Sequence, residues 1–254
     1  MRRDSRRVRF ENGRGEMLSG VLEWPEREPL HFAVLSHCFT CGKDLKSIVR
    51  VARQLARRGI AVLRFDFTGI GESEGDFSQT SLSTNCDDIR AAADYLAKAH
   101  TAPGLLVGLS LGGTASVLMA DKIPSVRVVS TIASPGSTER LAGFLLASNP
   151  DIERTGEGHV EIGGVPRLIR RQLLEDLLQY DLIELVGKLA VPILMFHSPQ
   201  DALLPYSWAL RIFEAAAGAK SFVTLDGADH LLTERPGDAE YVADMIAGWS
   251  SRYL

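Results

Sequence analysis

Cysteine is scarce, with 3 in 254 residues; the odd number argues against a disulfide framework and fits a reducing cytoplasm. No apolar run approaches the ~18 residues that a membrane span needs. The basic start, with Arg2, Arg3, Arg6, Arg7 and Arg9, lacks the apolar core and small-residue cleavage site of a secretory signal. It reads as a solvated tail leading into a first strand, with a nucleic-acid arm or an organelle address as the alternative. A large excess of one charge is also missing: a net charge of -4 recommends neither nucleic acid nor membrane as a partner. What is there is ordinary globular composition at the length of one large α/β domain, 1–254. That is enough to bury a core without metals or disulfides.

Strand-like and helix-like segments alternate, the pattern of a mostly parallel central sheet flanked by helices. Val8–Phe10 and Leu18–Trp24 bracket a turn containing Asn12 and Gly13, which predicts an antiparallel pair at the sheet edge. Then come a strand at Phe32–Leu35, an amphipathic helix from Leu45 to Arg57 closed by Gly59, and a strand at Ile60–Phe65. A helix over Thr84–Lys98, a strand into Ser110, a helix to about Asp121 and a strand at Val126–Ile132 follow. After Ser134-Pro135-Gly136 the regularity lapses. It resumes with a strand at Ile193–Phe196, a helix near Tyr206–Ala216, a strand at Phe222–Leu225 and a terminal helix. The interruption, approximately 137–188, predicts a cap insertion too small to be a domain of its own. Within it, His159–Ile162 and Val165–Ile169 alternate around Gly163-Gly164, a hairpin signal, between helix-like segments near Leu141 and Leu173. An excursion at that point lies over the carboxyl ends of parallel strands, where ligands bind, so its apolar faces are expected to wall a pocket. Arg167, Arg170 and Arg171 are expected mainly to be solvated, with contact to an acidic substrate group as the alternative.

The densest chemical signal is Gly108-Leu109-Ser110-Leu111-Gly112-Gly113. A serine between a strand and a helix, with small residues two positions either side, is the form of a nucleophile elbow. The sharp turn presents the hydroxyl and aims the Leu111 amide at a developing oxyanion, where the helix dipole favours negative charge. Downstream, His197-Ser198-Pro199-Gln200-Asp201 places an acid after a strand, and Asp226-Gly227-Ala228-Asp229-His230 places an imidazole after the next. Ser110, Asp201 and His230 are thus nucleophile, orienting acid and base, in the chain order of an α/β-hydrolase. No metal or cofactor is required. Asp226 and Asp229 compete with Asp201, but neighbours in a tight loop usually point elsewhere, and Asp229 suits turn amides. His197, just before the acid loop, reads as a packed or hydrogen-bonded support.

A second oxyanion donor is expected from Ser36-His37-Cys38-Phe39-Thr40-Cys41, with the Phe39 amide as the choice. His37, Cys38 and Thr40 are candidates to line the pocket. The C-x-x-C spacing of Cys38 and Cys41 signals redox chemistry in a thioredoxin-like context; after this strand and upstream of an elbow it reads as oxyanion loop. Cys86 reads as structural.

The elbow, His37-Cys38-Phe39-Thr40-Cys41, Arg64-Phe65-Asp66-Phe67-Thr68-Gly69-Ile70-Gly71-Glu72-Ser73-Glu74-Gly75 and the Asp226–His230 loop together resemble the α/β-hydrolase superfamily over nearly the whole chain. More narrowly they resemble the bacterial serine hydrolase domain often fused to an OsmC-type redox domain, to which the Cys-Phe-Thr-Cys and Asp-Phe-Thr-Gly segments are specific. The resemblance implies a Ser-Asp-His hydrolase with esterase-like activity at Ser110, Asp201 and His230, with Phe39 and Leu111 as backbone donors. It supplies no substrate. The sequence departs from the wider superfamily at Cys38, where a glycine commonly follows the loop histidine. It ends at Leu254 after one hydrolase-sized unit, without an OsmC-like portion. The expectation is a cytoplasmic carboxylesterase or thioesterase, monomeric or homodimeric, whose partner is a small-molecule acyl substrate. A serine peptidase acting on short peptides shares the triad, and a non-catalytic ligand-binding homologue shares the fold.

Overall fold

The computed structural model describes residues 4–162 and 165–254. Two antiparallel strands, β1 (Asp4–Glu11) and β2 (Met17–Trp24), are followed by β3 (His31–Ser36), α1 (Lys46–Arg57) and β4 (Ile60–Phe65). A 3₁₀ turn at Phe77–Gln79 leads to α2 (Leu82–Ala99), β5 (Leu105–Leu109), α3 (Leu111–Ala120) and β6 (Val128–Ile132). Next come α4 (Thr138–Ser148), α5 (Asp151–Thr155), the hairpin β7 (Glu157–Ile162) and β8 (Val165–Arg170), α6 (Arg171–Leu177) and α7 (Leu182–Lys188). The chain closes with β9 (Ile193–His197), α8 (Tyr206–Ala215), β10 (Lys220–Thr224) and α9 (Pro236–Ser250).

Eight strands form one sheet in the order β1-β2-β4-β3-β5-β6-β9-β10. It is parallel from β4 to β10, and antiparallel only where β2 joins β1 and β4. The expected edge pair is present and includes Arg9, but the strand starts earlier than expected: Arg6 and Arg7 lie within β1 rather than in a tail. Arg2 and Arg3 fall outside the described residues.

Strand side chains alternate between two cores, as a pleat buried on both faces requires. On β3, Phe32 and Val34 meet the core beneath α2 and α3, while Ala33 and Leu35 meet the one beneath α1 and α9. Helix α1 stops where Gly59 takes φ +87°, a left-handed conformation that side-chain-bearing residues avoid. Helix α2 starts two residues before the expected Thr84. Ser81 Oγ accepts from the Thr84 amide (3.2 Å) and Thr84 Oγ1 accepts from the Ser81 amide (2.8 Å), a reciprocal cap on the first turn.

The segment between β6 and β9 forms a two-stranded sheet of its own, β7 pairing with β8 from Glu157↔Arg170 to Ile162↔Val165. Its turn, Gly163-Gly164, lies outside the described residues. Strand β8 packs on the Phe77–Gln79 turn, α6 on α2, and α7 on α8. The carboxyl ends of β3, β5, β9 and β10 thereby bring their following loops to one rim. No helix among the described residues is long and apolar enough to cross a membrane.

Candidate active site

Ser110 stands between β5 and α3 with φ +53° and ψ −126°, a conformation costing of order 1–3 kcal/mol for a residue with a Cβ. The fold over-determines it. The Ser110 amide donates to the Ile132 carbonyl at 2.8 Å, and its own carbonyl accepts from the Gly113 amide at 2.9 Å. A Cβ at Gly108 would collide with Gly112 backbone, one at Gly112 with the His37 carbonyl, and one at Gly113 with Ser134. All three glycines are therefore steric necessities, and α3 abuts the end of β3.

Three side chains from three loops converge. His230 Nε2 lies 3.1 Å from Ser110 Oγ, and His230 Nδ1 lies 2.7 Å from Asp201 Oδ2. Asp201 Oδ1 also accepts from the Leu203 (2.8 Å) and Leu204 (3.0 Å) amides. Burial alone raises the pKa of this carboxyl, but the His230 bond and the two amides outweigh it and hold the group below its ordinary value. An ionised Asp201 can only accept, so His230 carries its hydrogen on Nδ1 and leaves Nε2 to accept from the serine. Ser110 and His230 are each 9% exposed, so most of each side chain is enclosed.

The competing acids are occupied elsewhere. Asp229 accepts from the Leu231, Thr233 and Glu234 amides. Asp226 accepts from Gln200 Nε2 at 3.1 Å, while Gln200 Oε1 accepts from the Gly227 amide at 2.7 Å and so ties the acid loop to the histidine loop. His197, fully buried, donates from Nε2 to the Leu204 carbonyl at 3.0 Å, and the same nitrogen lies 3.5 Å from Asp201 Oδ2. It braces the acid loop, as its position before that loop suggests.

Opposite the elbow, Ser36 pairs with Gly108 across β3 and β5, which brings the Cys38–Cys41 loop beside the serine. Leu111 is buried and opens α3, so its amide has no acceptor within the helix. Among the described residues neither that N–H nor the Phe39 N–H has an acceptor. Unpartnered N–H groups of this kind are able to donate to an oxyanion.

His37 differs from its expected place in the pocket lining. It is fully enclosed, and both ring nitrogens are engaged: Nδ1–H donates to the Cys38 carbonyl at 2.7 Å, and Nε2 accepts from the Phe67 amide at 3.1 Å. Burial keeps it neutral by lowering its pKa. The Cys38 carbonyl and the Phe39 N–H belong to one planar peptide and point in opposite directions, so this bond sets the direction of the Phe39 amide. Thr40 is half-buried and Cys38 buried in the same loop.

Asp66, in the Asp-Phe-Thr-Gly segment, holds the far end of the loop. It accepts from the Lys43 amide and Nζ, each at 2.7 Å, and from the Glu72 amide at 3.0 Å. Neither His37 nor Asp66 announces this role in sequence, because their partners are distant along the chain.

The cysteine reading is corrected in one respect. An odd count excludes a fully paired framework but not one local bridge, and Cys38 and Cys41 are joined by a disulfide, their Cα atoms 5.2 Å apart. Cys86 is free and buried, its thiol pushed up to about 12 by desolvation. Among the described residues no three His, Cys, Asp or Glu side chains converge as a bound metal would need.

A strained serine on a strand–turn–helix, bonded to histidine and then aspartate from later loops, has a counterpart in known sequences. A sequence model of the Alpha/beta hydrolase family matches residues 33–240. The chain belongs to this family. The esterase domain of a Rhodothermus marinus protein is 38% identical, with a TM-score of 0.79 over 98% of this chain and 99% of that one. The dihydrolipoyllysine-residue acetyltransferase component of the acetoin cleaving system of Pseudomonas putida is 34% identical over 131 residues, 48% of this chain and 34% of that protein. The mitochondrial palmitoyl-protein thioesterase ABHD10 of Bos taurus is 24% identical over 186 residues, 70% of this chain and 59% of that protein. The chain thus spans about a third to three fifths of these two curated relatives.

Proposed function

We propose that the chain is a serine hydrolase of carboxylesterase type that cleaves small to medium acyl esters or thioesters through an acyl-enzyme. The observation that carries this reading is the continuous hydrogen-bonded chain Ser110 Oγ–His230 Nε2, His230 Nδ1–Asp201 Oδ2. Ser110 Oγ attacks the acyl carbon as His230 takes its proton. The negative charge on the former carbonyl oxygen is met by the Leu111 and Phe39 amides. His230 then returns the proton to the leaving alcohol or thiol, and water repeats the sequence to free the acid. Asp201 holds the imidazole in the required tautomer and stabilises the imidazolium. His37 acts one step back, by aiming the Phe39 amide.

The relative named as an esterase domain supports ester over amide bonds, and the one named as a palmitoyl-protein thioesterase keeps thioesters in range. Likeness to the hydrolase domains fused to OsmC-type domains is part of the same proposal, carried by the Cys-Phe-Thr-Cys and Asp-Phe-Thr-Gly segments. The segment 137–188 acts as the cap, its hairpin walling the acyl pocket where β8 packs on Phe77.

The test is turnover of p-nitrophenyl esters from acetyl to palmitoyl, with matching acyl thioesters and aminoacyl p-nitroanilides. Ester or thioester hydrolysis with a chain-length optimum is expected. Hydrolysis of the anilides alone would replace the reading with a peptidase, and no turnover of any of them by folded protein would favour a ligand-binding role.

A further inference from the structure

The Cys38–Cys41 bond has no part in the hydrolytic steps, yet it closes around the residue whose amide those steps use. Cys38, Phe39, Thr40 and Cys41 form a small ring, and Phe39 N–H lies on its backbone. We propose that Cys38 and Cys41 form a reversible dithiol/disulfide site that takes a dithiol reductant, and that its oxidation state sets the competence of the oxyanion loop. The inference rests on the serine-hydrolase reading of Ser110.

Three observations carry it. The two cysteines are the only members of the loop joined covalently, and their Cα separation of 5.2 Å is an ordinary one for a bridged pair. Cys38 is buried while Cys41 is half-buried, so the bridge has one more accessible end. Apart from the bridge, the Cys38–Phe39 peptide is held by the 2.7 Å bond from His37 and by a long turn bond, the Cys41 amide to the Cys38 carbonyl at 3.3 Å. Opening the bridge therefore leaves the direction of the Phe39 amide to one good hydrogen bond and one weak one. Cys86, the third cysteine, is enclosed between α2 and α3, donating to the Ala115 carbonyl, and takes no part.

A thiolate of the reductant attacks Cys41 Sγ, forming a mixed disulfide and breaking the bond to Cys38, which leaves as a thiolate and takes a proton. The second thiol of the reductant then displaces Cys41. The reductant leaves as a disulfide, having lost two electrons and two protons, and the protein holds two thiols. A small disulfide drives the reverse, accepting the two electrons and two protons and leaving as two thiols.

In the oxidised form the Phe39 amide is fixed before substrate arrives; in the reduced form the loop must be ordered during each turnover. Deleting an oxyanion donor outright costs ~10²–10³ in kcat, and loosening one costs a fraction of that, about tenfold. KM changes little, because the donor acts on charge that develops after binding.

The experiment measures kcat and KM for a p-nitrophenyl ester on full-length protein after dithiothreitol, and again after diamide, each reagent removed before assay. Thiols are counted with dithiodipyridine in denaturant. One thiol is expected in the oxidised protein and three in the reduced one, with kcat about tenfold lower on reduction and restored on reoxidation. The Cys38→Ser/Cys41→Ser double variant is expected to run at the reduced rate and to ignore both reagents. Equal kcat in two states that differ by two thiols overturns the inference and leaves the hydrolase reading intact, as does failure of diamide to lower the count from three. No ester turnover in either thiol state overturns the hydrolase reading and this inference with it.

Discussion

Asp201 and Asp229 differ by what their oxygens already hold. Asp201 faces His230 at 2.7 Å, whereas the oxygens of Asp229 are taken up by three amides and the Thr233 hydroxyl. Asp201→Asn should lower kcat by about 10⁴, because the amide no longer fixes the tautomer of His230, with the thermal unfolding profile little changed. Asp229→Asn should loosen the turn after His230 and change kcat by less than about tenfold. Steady-state kinetics on both variants check this; the opposite ranking would exchange the two acids. Ser110, Asp201 and His230 were legible because each sits in a loop punctuated by Gly or Pro just after an apolar strand, in a diagnostic order. His37 was legible as a loop histidine but not as a support. Its partner at the Phe67 amide lies 30 residues along the chain, and only the pairing of β3 with β4 brings them together.

At the scale of elements, the segment proposed as the cap is tied to the scaffold by polar contacts at Ser83 and at the Ser78 carbonyl, which accepts from Gln172 Nε2 at 3.5 Å. Asp176 at the end of α6 accepts from the Ser83 amide at 3.0 Å and from the Ser83 hydroxyl, which also bonds Tyr180 OH at 2.6 Å. Ser83 lies in the first turn of α2, so the carboxylate also meets the positive end of that helix dipole. Releasing it should let the cap open more often over a serine that is 9% exposed. Asp176→Ala is therefore expected to raise kcat/KM for long acyl esters severalfold relative to acetyl esters, read from a chain-length series. An unchanged ratio would mean that the cap does not limit entry. Helices α4 and α6 and the hairpin were readable from periodicity and from Gly163-Gly164. Helices α5 and α7 were not; α5, at 5 residues, is little more than one turn and carries too little hydrophobic repeat to distinguish helix from loop.

For the whole molecule, the buried imidazoles govern how stability responds to acid. His37 and His197 are both enclosed, and burial lowers each below the ordinary 6.5. In the unfolded chain they protonate near that value while the native state resists, so the unfolded state binds more protons. Stability is then fully present above pH 6.5 and falls as pH drops toward the lower folded values. The slope approaches about 1.4 kcal/mol per pH unit for each histidine. Asp201 and Asp44 are held below their ordinary 3.8, so their contribution is intact above that pH and is lost only as pH falls through their lower folded values. Urea unfolding between pH 5.5 and 7.5 should show the histidine slope, with proton uptake on unfolding; a flat profile there would contradict the neutral, buried assignment. The two-sided sheet behind this behaviour was readable from the strand–helix alternation. The route by which Asp66, Lys43 and His37 lock one loop was not, since it exists only after the sheet has assembled.

The measurement that bears most directly on the central claim is covalent labelling of Ser110. Folded protein treated with a fluorophosphonate should gain one adduct, found by peptide mass spectrometry on the fragment carrying Ser110. Ser110→Ala should gain none and should lose ester turnover by roughly 10⁴-fold or more. An adduct on another residue, or turnover that survives in Ser110→Ala, would contradict the account.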